Sequence, residues 1–200
     1  MKVFRVALYK AKIGDGKFID DGISVYTSLV NIIGLLCVFN FKLAWEIIKR
    51  RYSHIEIWWK TTEQEWFDEK GIATGMMFTS TMRQDMAGTV ARPAQEVLTH
   101  LDRWDCMEIE VDDSDYWDAI CWAYRQAKSN KGYNVGTILN FFNPLRTTQR
   151  PSTDDKNICS VAAQGFCWIA GVFESWIIWS PIKLWWKLYN LGYKTFSLTE

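Results

Sequence analysis

Short β-prone runs alternate with longer apolar stripes along this chain, and their order predicts a mixed fold. Val3–Tyr9 is the first run, followed by the turn signal Gly14-Asp15-Gly16. Ser53–Trp59 and Gly75–Thr81 predict two further strands, with the polar stretch Glu63–Lys70 as a loop between them. Antiparallel pairing is the simplest connection over such a link. A hairpin centred near Phe67 sets His54 roughly opposite Ser80. Gly88–Ala91 and Met107–Val111 complete the strand set, the latter with Met107, Ile109 and Val111 alternating against Glu108 and Glu110.

Between the strands the period lengthens. Residues 43–51 predict an amphipathic helix that ends in Lys49-Arg50-Arg51, a charge bias suited to a helix C-terminus. Asp112-Asp113-Ser114-Asp115 supplies cap and first-turn acids for a helix whose stripe is Tyr116, Ile120, Ala123, Tyr124 and Ala127. A loop rich in Pro, Thr, Arg and Asp, Asn143–Asn157, leads into a helix from Cys159 to about Phe173. Ser180-Pro181 opens a last helix, Ile182–Leu191, because proline suits a first helical turn. The run Leu29–Phe41 is strongly apolar, but Asn31 and Asn40 interrupt it and Lys42 closes it. It falls short of the roughly 18–20 clean residues of a membrane span. It is expected to pack in the core or against a protein partner. The expected fold is α+β: a small antiparallel sheet packed with helices, one domain over residues 1–200, with an apolar helical insertion at about 29–50.

Composition narrows the function classes. The 23 basic and 23 acidic residues balance, so no global charge points to nucleic acid or anionic lipid. Twelve Trp within 16% aromatics predict a large aromatic core and a contact surface rather than a cofactor role. The five cysteines (37, 106, 121, 159 and 167) form no C-x-x-C pair, and with two distant histidines no metal and no cofactor is expected. No signal-peptide pattern opens the sequence, so reduced thiols and cytoplasmic synthesis are expected.

The chemistry concentrates in two places. Asp155-Lys156-Asn157-Ile158-Cys159-Ser160 reads as a polar loop entering a helix with a cysteine in its first turn. A helix N-terminus favours the thiolate there. Tyr52-Ser53-His54-Ile55-Glu56 is a strand with one of the two histidines. A helix cysteine facing a strand histidine is the minimal apparatus of a thiol hydrolase or acyltransferase. A small buried cysteine beside an incidental histidine is the competing reading. For a third residue, Glu56 lies two positions from His54 and so shares its strand face. Thr79 or Ser80, on the neighbouring strand, compete with it. The Cys159 backbone N–H is one expected oxyanion donor, Tyr133 is a groove candidate, and His100 reads as structural.

Ser53-His54-Ile55-Glu56-Ile57-Trp58 resembles the S-H-V-E-[IL]-W strand of the circularly permuted NlpC/P60 (papain-like) proteins, the YiiX/YebB-like group with bacterial and phage-encoded members. Ile158-Cys159-Ser160-Val161-Ala162-Ala163 is similar to their cysteine helix, and Gly132-Tyr133-Asn134-Val135-Gly136 and Ser180-Pro181-Ile182-Lys183-Leu184 resemble segments in the same order. The resemblance implies a permuted papain-like arrangement, histidine strand before cysteine helix. It also implies an amidase or peptidase acting on an amide or acyl substrate such as a cell-wall peptide. Ser160-Val161 departs from the family's Ser-Glu, and residues 29–49 are longer and more apolar than its usual approach to the histidine strand. Two rivals stand beside this expectation. One is a catalytically idle papain-like domain serving as a structural or binding component, for example of a phage particle, with the aromatic surface and residues 29–49 meeting a protein partner. The other is a membrane-associated acyltransferase that uses those residues at the interface.

Overall fold

The computed structural model describes residues 1–10, 41–50, 52–81, 87–129, 132, 158–175 and 180–199. Strand β1 (Lys2–Lys10) lies inside a six-stranded sheet, flanked by β2 (Tyr52–Trp59) and β5 (Trp104–Val111). Outside β2 come β3 (Met76–Thr81) and β4 (Gly88–Pro93), and outside β5 comes β6 (Thr195–Ser197). Every pairing is antiparallel. Helices α1 (Phe41–Arg50), α2 (Ala94–Val97), α3 (Asp113–Lys128), α4 (Cys159–Ile169) and α5 (Pro181–Asn190) complete the described elements, with a single 3-10 turn at Leu101–Arg103. The fold is α+β, an antiparallel sheet packed against helices, as the sequence pattern predicts.

Period-two alternation divides the sheet into two faces. Phe4, Val6 and Leu8 of β1, Ile55, Ile57 and Trp59 of β2 and Phe78 of β3 point into one core, where α3, α4 and α5 cover them. Phe166 of α4 sits at its middle, edge-on to Phe4 at 5.0 Å and stacked over Trp59 at 5.9 Å. The second core, on the opposite face, gathers Ala7, Trp58, Met77 and Cys106 with Trp66, Val97, Leu98 and Trp104. Here Arg5 spreads its guanidinium over Trp66 at 4.2 Å and Trp58 at 5.0 Å while pairing with Glu108 at 2.7 Å.

Local chemistry accounts for the boundaries. Gly75 has φ +80, and a Cβ there would lie 2.2 Å from the Trp59 carbonyl oxygen, so only glycine permits the close turn into β3. Helix α4 ends earlier than the apolar pattern suggests. Gly171, at φ +71, takes the left-handed position, and the Val172 N–H donates to the Cys167 carbonyl, closing the helix at Ile169 rather than Phe173. Helix α5 begins as expected: Ser180 accepts from the Lys183 N–H and Pro181 fills the first turn. On α3 the buried stripe is Tyr116, Ala119, Ile120 and Ala123. Tyr124 departs from the expected stripe, since it is exposed and only its ring edge meets Trp59, at 5.7 Å. The Gly14-Asp15-Gly16 turn, the apolar run 29–40 and Tyr133 lie outside the described residues. No helix among the described residues is long and apolar enough to cross a membrane.

Candidate active site

Strand β2 carries an irregularity that sets the site. Tyr9 pairs with His54 and Lys10 with Tyr52, so Ser53 is the extra residue of a bulge. Tyr52 and His54 therefore point to opposite faces although both are even-numbered. Tyr52 joins the helix-covered core and donates to Asp105 at 2.6 Å, within a group that includes Lys10 and Arg50. Burial, with Asp105 beside it, pushes the Tyr52 hydroxyl well above its usual range. His54 turns to the other face together with Glu56.

The β2–β3 ladder runs only over Ile57–Trp59 against Met76–Phe78, although both strands continue beyond it. Past that point a side chain replaces the ladder: Thr79 Oγ1 donates to the Ile55 carbonyl at 3.0 Å. Helix α4 packs on β2 and β3 alike, with Cys159 as its first residue. The parting of the strands allows a ring on one face of β2 to meet a thiol on a helix that covers the other. His54 and Cys159, more than a hundred residues apart in sequence, interact through charge and a hydrogen bond.

The β2–β3 pairing shifts the hairpin by one residue from the position expected for it. Ile57 lies opposite Phe78, and the same register continued sets Glu56 opposite Thr79 and His54 opposite Thr81, not Ser80. A one-residue slip reverses every side chain, and it separates Thr79 from Ser80. Thr79 comes to the face of His54, with Oγ1 at 3.3 Å from Nε2, while Ser80 is fully buried on the other face. Glu56 approaches the same nitrogen more closely, Oε1 to Nε2 at 3.1 Å, and is 1% exposed. With Nε2 engaged by Glu56 and Thr79, Nδ1 remains for the sulfur. Arg92, reaching from β4 across β3, donates from Nη2 to the same Glu56 oxygen at 3.1 Å.

These contacts decide the charge on the ring. Burial disfavours the imidazolium, but the Cys159 sulfur, by charge and hydrogen bond, and then Glu56 outweigh it and push the His54 pKa up to about 10. His54 keeps 24% of its side-chain surface exposed, and Cys159 only 5%. Burial, opposed by Arg5 and aided by Asp105 and Glu108, pushes the Cys106 thiol up to about 12, and burial drives Cys167 higher still. The described cysteines 106, 121, 159 and 167 are free thiols, and Cys159 is the one that meets an imidazole.

At the start of α4 the Ile158 side chain makes no cap, and the first intrahelical bond is Ala162 N–H to the Ile158 carbonyl. The N–H groups of Cys159, Ser160 and Val161 therefore precede the helical ladder, where an oxyanion could be received. His100 is exposed at the turn before Leu101. Among the described residues no group of three or more His, Cys, Asp or Glu is gathered to hold a metal ion. Sequence reasoning missed Arg92, whose only sequence signal is a cation at an inward position of a short strand. Against family models, curated proteins and solved structures, the chain finds no match.

Proposed function

We propose that this chain is a thiol hydrolase, an amidase or peptidase of the permuted NlpC/P60 arrangement, with Cys159 as nucleophile, His54 as general base and acid, and Glu56 as the group that orients the ring. The observation that carries this reading is the contact between the first residue of α4 and a histidine whose far nitrogen is held by a buried carboxylate. In the reaction, the Cys159 thiolate, whose proton already rests on His54, bonds to the substrate carbonyl carbon, and the resulting oxyanion faces the N–H groups of the first turn of α4. Collapse breaks the C–N bond, and the amine leaves with the proton from His54. Water, giving a proton to His54, then cleaves the thioester and restores the thiolate beside its imidazolium. The substrate class, an amide or acyl group such as a cell-wall peptide, rests on the resemblance.

The near-complete burial of Cys159 favours a second reading, a catalytically idle domain of the same fold used for binding. One experiment separates the two: the pH dependence of thiol alkylation, resolved peptide by peptide, in wild type and His54→Ala. The hydrolase reading expects Cys159 to label first at neutral pH, and to lose that lead in His54→Ala. Since the ring keeps its proton to about pH 10, labelling supported by the imidazolium should persist through neutral pH. A Cys159 that labels no faster than Cys121 in both proteins would leave only the binding reading.

A further inference from the structure

One carboxylate oxygen serves two cations on the face of the sheet opposite α3, α4 and α5. Glu56 Oε1 lies 3.1 Å from His54 Nε2 and 3.1 Å from Arg92 Nη2. Arg92 does not neighbour Glu56 in the sheet. Its ladder partner is Met77, and Met77 faces Trp58, so the guanidinium reaches over β3 to a residue two positions along β2. Both groups are nearly out of solvent, Glu56 at 1% and Arg92 at 5% exposed. A pair this dry is costly to form and is weak evidence for stability. Its position invites a functional reading.

A general base that must also act as an acid needs to lose its proton as readily as it gains it. Suppose Glu56 had only His54 for company. Each deprotonation of the ring would strand a buried carboxylate without a counter-charge, and the proton would stay where it was. A permanent cation on the same oxygen removes that obstacle, because guanidinium does not titrate in proteins. We propose that Arg92 is a positioning residue that keeps Glu56 ionised and fixed, so that the carboxylate can orient the His54 ring and still let it release its proton to a leaving group.

Among the described residues, the charged and titratable groups around the ring are these. Cys159 faces it from α4 and Glu56 from its own strand. Arg92 comes from β4 through Glu56, and β3 contributes the neutral Thr79. From β1, Tyr9 is the ladder partner of His54, and its hydroxyl accepts from Arg103. Arg5, two pairs further along from Ala7 and Glu56, is committed to Glu108 and the Trp66 ring.

The proposal rests on the catalytic assignment of His54, but its test does not. The two histidine rings are followed by NMR through a pH titration of the full chain in a Cys159→Ala background, which removes the sulfur and leaves Glu56 and Arg92 acting on His54. Adding Arg92→Gln is expected to raise the His54 midpoint by about one unit, the usual effect of removing a cation at this range. Arg92→Lys should return it close to the background value, while His100 stays put in every variant. A His54 midpoint that is unchanged or lower in Arg92→Gln overturns the proposal. If Arg92→Gln does not fold, Glu56→Gln reads the same link: the midpoint must fall, and one that does not move refutes the relay. An idle domain would still answer this titration, whereas the alkylation experiment would have exposed it.

Discussion

On the helix-covered face of the sheet, Phe4, Val6, Leu8, Ile55, Ile57 and Trp59 meet Phe166, Ile182 and Leu184 in a mainly apolar core, with Tyr52 and Asp105 bonded at one edge. On the opposite face Arg5, Glu56 and Arg92 lie among Trp58, Trp66 and Met77, each buried and each holding a directed partner. The first face is assembled by area, which rewards any close-packed apolar shape. The second is assembled by geometry, since a buried charge is tolerable only where its partner stands. The candidate site uses both: α4 is seated by the apolar face and presents Cys159, while the polar face aims the ring that meets it.

Substitutions on the two faces should differ in size as well as kind. Phe166→Ala removes a ring clasped between Phe4 and Trp59. It is expected to lower the unfolding free energy by about 3–5 kcal/mol in urea titrations. A loss under about 1 kcal/mol would mean that α4 is not held by this core. On the other face, Arg5→Met keeps the stem and forfeits the guanidinium stacked on Trp58 and Trp66, for an expected loss of about 1–2 kcal/mol. Glu108→Ala sharpens the point. Its carboxylate is 46% exposed, so hydration replaces most of what Arg5 provides, and the loss should stay below about 1 kcal/mol. If Glu108→Ala cost as much as Arg5→Met, the ion pair rather than the aromatic stack would anchor this face.

Much of the architecture is legible along the chain. The strands at Val3–Tyr9, Ser53–Trp59 and Met107–Val111 follow from β-prone runs, and α5 follows from Ser180-Pro181. Strand β6 is not legible, because three residues carry too little pattern, and α2 is a single turn for the same reason. The early stop of α4 turns on Gly171, whose left-handed φ no apolar period announces. In the candidate site, His54, Glu56 and Cys159 are named as candidates by residue type together with the resemblance. The choice between Thr79 and Ser80 is not, since one residue of register separates a side chain at the ring from one on the far face.

What the sequence determines alone is therefore local: which segments extend or coil, which faces are apolar, and that a thiol opens a helix. Only the tertiary structure decides that the β2 ladder ends at Ile57, that Ser53 bulges, and that Arg92 crosses β3 to share an oxygen with His54. The reason is physical. Periodicity and capping are properties of neighbours in the chain, whereas pairing register and buried charge partners depend on which distant strands come to lie side by side.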